Sequence, residues 1–142
     1  MEIIKDIREV HDVAVAVEDG NIYKFEGIHI LTTDHRYQWL IRNGPRNGSW
    51  FGGCCVEDID KFIGAKLIDF TVANRVMSIY QWEKLVSADE SLMNKIMGVE
   101  DVRLMNFLTD RGVLDVVVYN DNNYWRSAVL RIDTKVVYKD RV

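Results

Sequence analysis

This chain lacks the features that would place a protein in a membrane or on nucleic acid. No apolar run approaches the roughly 20 residues that a membrane helix requires, and the charged start MEIIKDIREV is unlike a secretory signal. The 18 lysines and arginines are outnumbered by 22 aspartates and glutamates, which gives a net charge of -4. We therefore expect a cytoplasmic protein with no membrane partner and no general affinity for duplex nucleic acid.

Proline and cysteine are scarce as well. Pro45 is the only proline, and no Ser/Gly-rich stretch separates two parts of the chain, so residues 1–142 are expected to form a single β-rich domain. The two cysteines, Cys54 and Cys55, are adjacent and lack the two-residue spacer of a redox or zinc motif. On a strand they point to opposite faces, and we favour a role as small, reduced, buried side chains over chemistry.

Motifs of catalysis are missing too. There is no glycine-rich phosphate loop and no nucleophile elbow, and the three histidines do not stand at metal-ligand spacing. Asp58 and Asp60 are carboxylates in one short segment, but acidic residues in a first helical turn are ordinary complements of the helix dipole. The sequence therefore predicts a protein that is not an enzyme and that uses no metal or cofactor.

The residues that are present follow a strand pattern. Val13, Val15 and Val17 alternate with small or polar residues before a turn at Asp19-Gly20, and similar alternation recurs along the chain. We predict extended structure over 31–42, 65–73, 76–83, 102–109, 113–119 and 124–132. VEDIDKFIG predicts one or two helical turns that end at Gly64, and SADESLMNKIMG predicts a short helix over 88–97. The fold class is α+β: a predominantly antiparallel β-sheet or flattened barrel with one or two short helices.

Two loops carry an unusual mixture of residues, RNGPRNGSWFGG from residue 42 and NDNNYWR from residue 120. Each follows a Thr-Asp corner and a strand-like stretch, and each combines asparagine, arginine and aromatic residues. Arginine presents a planar fork to phosphate, asparagine donates and accepts at base or ribose edges, and tryptophan or tyrosine stacks on a base. The predicted ligand-binding residues are Arg42, Asn43, Arg46, Asn47, Trp50, Asn120, Asn123, Tyr124, Trp125 and Arg126.

Turn formation is the competing explanation for these loops. Asparagine and glycine are favoured at tight corners because they accept a left-handed backbone, so they need no ligand. This explanation covers the asparagines and glycines well. It covers the arginines and tryptophans less well, because such side chains are costly at an exposed tip unless they pack or bind.

Several segments resemble an uncharacterised family of small phage and Gram-positive bacterial proteins. The family pattern combines a Thr-Asp-x-Gly corner, an Arg-Asn-x-x-Asn-Gly-aromatic-Gly-Gly loop, and a Cys-Cys pair before an acidic helical turn. The matching residues here are Thr109, Asp110 and Gly112, then Arg42, Asn43, Asn47, Gly48, Gly52 and Gly53, then Cys54, Cys55, Glu57, Asp58, Ile59 and Gly64. The resemblance implies a β-rich fold and a phage or mobile-element setting, hence the host cytoplasm, but no known reaction.

Two functions follow as hypotheses. In the first, the two loops bind and sequester a small anionic nucleotide-like immune signal without turning it over, as an anti-defence sponge. Phage proteins that sequester such signals are similar in size and general character. In the second, the chain is a protein-interaction inhibitor that binds a host protein through a β edge or an aromatic surface. IYQWEKLV, residues 79–86, is a candidate edge, and we expect a homo-oligomer.

Overall fold

The structure is a computed structural model that describes residues 1–17, 19–44, 51–73, 101–120 and 125–142. These residues are almost entirely antiparallel β-structure and contain no α-helix. The elements are β1 (Glu2–Ala16), β2 (Ile22–Thr32), β3 (Arg36–Arg42), β4 (Phe51–Cys55), a 3-10 helix (Ile59–Phe62), β5 (Lys66–Ala73), β6 (Asp101–Thr109), β7 (Gly112–Asn120), β8 (Ser127–Ile132) and β9 (Lys135–Arg141).

The prediction of a mostly antiparallel β protein is confirmed, and β5, β6 and β7 lie within a residue of their predicted bounds. Residues 31–42 are mainly extended, as predicted, with a turn at 33–35 between β2 and β3. The Thr32 hydroxyl accepts hydrogen bonds from the backbone N–H of Asp34 and His35, at 3.2 and 2.9 Å, and this bonding reverses the chain. The strand predicted over 124–132 begins only at Ser127. The predicted strand 76–83, the helix 88–97 and the candidate edge 79–86 lie outside the described residues.

The first half of β1 and the whole of β4 were not predicted. The first half of β1 carries charges at frequent positions, and β4 contains two glycines and two cysteines, so neither shows a clear period-2 pattern. Their extended structure comes from pairing partners that are distant in sequence. β1 pairs with β2 over most of its length, and β4 pairs with β7 from Phe51↔Asn120 to Cys55↔Val116.

The nine strands follow the order β4-β7-β6-β5-β1-β2-β3-β8-β9. The start of β1 pairs with β5, at Glu2↔Leu67 and Ile3↔Lys66, while the rest of β1 pairs with β2. The sheet thus has two halves that share β1, and the main core lies between them. Buried residues of the core include Ile28, Ile30, Trp39 and Ile41 from one half, and Met105, Phe107, Leu114 and Val116 from the other.

The two halves approach most closely at a pair of glycines. A Cβ atom on Gly27 would lie 2.1 Å from the carbonyl oxygen of Trp39, and one on Gly53 would lie 2.9 Å from the Cα of Gly27. Side chains are excluded at both positions by backbone atoms that have no freedom to move aside. The glycine at 53 therefore lets β4 lie against β2, and the glycine at 27 lets the backbone of β3 approach β2.

The helical turn predicted in VEDIDKFIG is present as the 3-10 helix. The side chain of Asp58 accepts a hydrogen bond from the backbone N–H of Asp60 at 3.1 Å, as an N-cap residue does. Gly64 ends the turn with φ of 87°, a backbone conformation that favours glycine. Arg111 donates to the carbonyl oxygen of Ile63 at 2.8 Å and fastens this turn to the β6–β7 corner.

Candidate binding groove

The half of the sheet that contains β1, β2, β3, β8 and β9 is strongly curled. Arg131 on β8 donates from Nη1 to the carbonyl oxygen of Ala14 on β1 at 3.1 Å, although β2 and β3 stand between these strands in the sheet order. In a flat sheet the two strands would be roughly 14 Å apart. The arginine spans the gap only because the far end of the β1–β2 hairpin folds back toward β8.

A bulge produces this fold-back. The β1–β2 register shifts between Val10 and Val13, and Asp12 within it has φ of 54°. A bulge of this kind bends and twists the strand that carries it. The side chain of Asn43, a predicted ligand-binding residue, donates to Asp12 Oδ1 at 2.9 Å and so contacts this bend.

Beneath the folded hairpin lies a second apolar cluster, separate from the main core. Val15, Phe25, Leu40 and Val129 are buried there, and Val17, Tyr23 and Val136 are among the half-buried residues that pack on them. This cluster joins the β1–β2 hairpin to the outer side of β3 and β8. Its half-buried members supply the apolar floor of a surface groove.

The groove, which we call the β9 groove, runs between the hairpin and β9 and has a volume of about 1240 Å³. One wall is the hairpin and the other is the length of β9. The residues that line it are Ala16, Val17, Asp19, Tyr23, Arg42, Ser127, Val129, Val136, Val137, Tyr138, Lys139, Asp140 and Arg141. The volume exceeds the roughly 300–1,000 Å³ of small-ligand sites, so it suits a peptide segment or a large small molecule.

On the hairpin wall, β1 turns a strand edge toward the groove. Val17 donates its N–H to Asn21 O across the hairpin, at 3.0 Å, so the alternate residues Ala14 and Ala16 direct their backbone groups away from β2. On β9, Val142 and Arg126 exchange both backbone hydrogen bonds, at 2.8 and 3.0 Å. Alternation along β9 then directs the backbone of Arg141 away from β8, where its carbonyl oxygen accepts from Arg103 Nη2 at 2.8 Å. Beyond residue 4, the described part of the chain gives β1 no second strand partner on this side.

Three of the four exposed residues of β9 are basic. Exposure alternates along KVVYKDR, so Lys135, Val137, Lys139 and Arg141 are exposed while Val136, Tyr138 and Asp140 are half-buried. We call the exposed set the basic stripe. Arg103 Nε donates to Asp140 Oδ2 at 2.8 Å, and Tyr138 OH donates to it at 3.2 Å. Although desolvation raises the pKa of Asp140, these hydrogen bonds hold that pKa below its usual value, so the carboxylate is already neutralised by its neighbours.

The opposite wall carries a stacked arginine. The Arg42 guanidinium lies 3.8 Å from the centroid of the Tyr23 ring, a cation–π contact. Tyr23 OH donates to Asp19 Oδ2 at 3.4 Å, and Asp19 Oδ1 accepts from the Asn21 N–H at 2.8 Å. The Asn21 hydrogen bond lowers the pKa of Asp19. Arg42 is the one described residue of the predicted site that lines the β9 groove.

Two other predicted site residues have structural partners. Arg126 is 2% exposed, donates from Nη1 to the carbonyl oxygens of Arg42 and Gly44 at 3.1 and 3.2 Å, and stacks 3.6 Å above the Phe51 ring centroid. Asn120 is fully buried and donates to the backbone oxygen of Val142 at 2.8 Å. Trp125, by contrast, is 62% exposed.

The remaining members of that set, Arg46, Asn47, Trp50, Asn123 and Tyr124, lie outside the described residues. The flanks of the two loops do meet, since Phe51 pairs with Asn120 and Arg126 contacts Gly44. This contact favours the expectation that the loops are neighbours. The ligand role of the set remains a prediction.

A histidine–aspartate pair stands at the opposite end of β9. His35 Nδ1 lies 2.5 Å from Asp133 Oδ2, and Asp133 Oδ1 accepts from the Arg36 N–H at 2.9 Å. The hydrogen bond between the two side chains raises the pKa of His35 and lowers that of Asp133. The pair joins the turn between β2 and β3 to the turn between β8 and β9.

Burial also shifts the pKa values of the two cysteine thiols. Both thiols are free, and desolvation raises the pKa of Cys54 to about 12 and that of Cys55 higher still. A thiol protonated at neutral pH is a poor nucleophile and a poor metal ligand. Across the described ranges, no group of three potential ligands gathers at one point, and no helix is long and apolar enough to cross a bilayer.

Comparison with protein-family models, with curated proteins and with solved structures finds no match for this chain. Its function therefore has to be argued from its own residues. The basic stripe was not predicted from the sequence, although KVVYKDR places a cation or a valine at every second position. Tyr23 was not predicted as a site residue either. It contacts Arg42 only because the hairpin folds back, and no local sequence pattern predicts that fold.

Proposed function

We propose that this chain is a non-catalytic protein-interaction module that binds an extended segment of a partner protein in the β9 groove, as an added strand. The observation that carries this proposal is the edge of β1 that borders the groove, because beyond residue 4 the described part of the chain gives it no second strand partner on this side. Peptides that add to a sheet edge gain affinity from main-chain hydrogen bonds and specificity from alternate side chains. The apolar floor of Val17, Val129 and Val136 would receive those side chains.

Curvature supports this mode of binding. The curled half of the sheet is a partial barrel, in which Arg131 of β8 reaches β1 at the carbonyl oxygen of Ala14. A strand added along β1 would cover that edge, and covering edges is what a closed barrel achieves. We place the protein in the cytoplasm, where free thiols stay reduced.

The experiment is a selection of peptides from a random display library, followed by amide hydrogen exchange on the complex. We expect the bound peptide to slow exchange in residues 13–16 and along β9. The variant Ala16→Pro removes an N–H that faces the groove and leaves the pairing with β2 intact. It should weaken binding about tenfold, or about 1.4 kcal/mol.

The matched control is Ala16→Ser, which keeps the N–H and nearly keeps the volume, and it should bind like the unaltered protein. Protection confined to the other half of the sheet would overturn the proposal. So would a selection that yields no binder.

A nucleotide-like anion remains a second candidate ligand, favoured by the Arg42–Tyr23 stack and by the exposed ring of Trp125. Arg42 would hold phosphate and an aromatic ring would stack on the base. In the phage setting such binding would sequester an immune signal. Thermal shift with a panel of linear and cyclic nucleotides tests it: Arg42→Ala should abolish the shift, while Arg36→Ala, on the same strand but outside the groove, should retain it. An identical response from both variants would rule out this site.

A further inference from the structure

Two arginines stand side by side across one end of the β9 groove. Arg42 is the last residue of β3, Ser127 is the first of β8 and Arg141 is the last of β9. The β3–β8 ladder ends at the pair Ile41↔Ala128, one step before Arg42. The next step brings Arg42 beside Ser127, which pairs with Arg141. Because neighbouring strands are about 4.8 Å apart, the Cα atoms of the two arginines are separated by about 10 Å, with Ser127 between them.

The side chains of this row face the groove. Ile41 and Ala128 belong to the main core. Because side chains alternate along a strand, their neighbours Arg42 and Ser127 lie on the opposite face, where they line the groove. Arg141 is exposed and lines the same groove. The groove therefore carries two guanidinium groups and one hydroxyl group at this end.

Neither guanidinium group has an acidic partner among the described residues. The Arg42 guanidinium lies on the neutral ring of Tyr23, which fixes its position without cancelling its charge. The two carboxylates that line the groove are engaged elsewhere, since Asp19 is bonded within the hairpin and Asp140 is bonded to Arg103. Two like charges at this spacing attract an anion into the space between them.

We infer that the bound segment is the C-terminal end of its protein, with the terminal carboxylate held between Arg42 and Arg141. This inference rests on the proposed function and adds which part of the partner binds. Guanidinium groups donate strong, charge-assisted hydrogen bonds to a carboxylate, and the Ser127 hydroxyl would donate a third. The preceding residues would add to the β1 edge at Ala14 and Ala16. One carboxylate is enough, because both arginines lie in one row at the end of their strands.

Positive charge on an edge strand also protects a protein from aggregation without binding anything, and β9 is the last strand in the sheet order. The two roles differ in what they predict. Protection requires only that β9 carry cations, and Lys135 serves that purpose as well as Arg141 does. Recognition requires Arg141 in particular, together with a preference for a free carboxylate that weakens as salt rises.

The test uses one N-acetylated synthetic peptide of alternating serine and valine in two forms, with a C-terminal carboxylate or a C-terminal amide. We expect the carboxylate form to bind at least about tenfold more tightly at low salt, with the ratio falling as salt rises. Both forms should slow amide exchange in residues 13–16. Arg141→Gln should weaken binding of the carboxylate form about tenfold and spare the amide form. Lys135→Gln, at the other end of the same strand, is the matched control and should change neither affinity.

The outcomes separate the two proposals. Equal affinity of the two forms, with protection of residues 13–16, would overturn the terminal carboxylate and leave strand addition standing. Binding of neither form would overturn strand addition itself. An amidated peptide ending in glutamate that bound as tightly as the carboxylate form would show that any acidic side chain suffices, and the inference would be wrong. Adenosine monophosphate that bound more tightly than the carboxylate form, and lost this affinity in Arg141→Gln, would assign the two arginines to a nucleotide instead.

Discussion

At the scale of single residues, the same residue types serve opposite purposes in different places. Arg42 stacks on Tyr23 at the surface of the groove, whereas Arg126 is buried and bonded to backbone carbonyl oxygens. Asn43 holds a bulge and Asn120 holds the backbone at Val142. The residue types in the two loops therefore indicated which side chains are candidates for ligand binding. The burial of each side chain, which only the fold determines, decides which of them a ligand can reach.

Gly27 gives the sharpest prediction at this scale. Gly27→Ala places a methyl carbon against the carbonyl oxygen of Trp39, where the ideal distance is only 2.1 Å. We expect a loss of about 3 kcal/mol in the free energy of unfolding, measured by urea denaturation. Gly44→Ala is the control, since a Cβ there meets nothing within 4 Å. Equal stability of the two variants would mean that the carbonyl oxygen of Trp39 does not lie against Gly27 as described.

The neighbours Trp125 and Arg126 should respond differently to truncation. Arg126→Ala leaves the carbonyl oxygens of Arg42 and Gly44 without this donor and removes the stack on Phe51, so we expect a loss of about 2–4 kcal/mol in stability. Trp125→Ala should change stability by less than about 1 kcal/mol, because the ring is 62% exposed. Thermal and urea denaturation measure both. A tryptophan variant that unfolds would instead assign Trp125 to the core.

At the scale of elements, the turn between β8 and β9, which Asp133 joins to His35 in the β2–β3 turn, has a backbone that ordinary residues seldom adopt. Asp133 and Thr134 form the two-residue turn between β8 and β9, with φ of 53° and 78°. Such a turn matches the twist of the flanking strands but favours asparagine or glycine. The side-chain bonds of Asp133 to His35 and to the Arg36 N–H offset part of that strain.

This pairing makes stability depend on pH in a defined direction. The folded pKa of His35 is raised above 6.5, so its contribution is complete below that pH and is lost as pH rises through the folded value. The folded pKa of Asp133 is lowered below 3.8, so its contribution is present above that pH and is lost as pH falls through the folded value. The pair therefore stabilises the fold most between about pH 4 and 6.5.

The measurement is urea denaturation across that range for the unaltered protein and for His35→Gln. The difference in stability between the two proteins should be largest inside the window and should shrink toward alkaline pH. A difference that is constant with pH would show that the ring contributes by packing alone.

At the scale of the whole molecule, the sheet is one surface folded over a core, with its curled half ending at β9. The main core and the second cluster lie on different faces of that curled half, which is why β2 and β3 are buried on both sides. This double burial leaves the exposed residues of β9 as a distinct surface. Its charge governs what can approach the edge.

Neutralising the stripe tests its protective role in the intact protein. The triple variant Lys135→Thr/Lys139→Thr/Arg141→Thr keeps strand propensity and removes three positive charges. We expect it to self-associate at concentrations where the unaltered protein shows less association, as measured by sedimentation velocity. The homo-oligomer expected from the sequence would then form through a surface other than β9. If the triple variant still forms that oligomer as the unaltered protein does, the oligomer interface lies away from β9.

Local sequence determined the strand class, the turn at Asp19-Gly20 and the capped turn before Gly64, because alternation, turn residues and caps act over a few neighbours. It did not determine β4, whose glycines and cysteines are extended only because β7 lies beside them. Nor did it determine which loop arginine is buried, since Arg126 is enclosed by Phe51 and Gly44 from other parts of the chain. The β9 groove exists only in the tertiary structure, because a bulge at Asp12 and a hydrogen bond from Arg131 to Ala14 bring the β1–β2 hairpin opposite β9, which is distant in sequence.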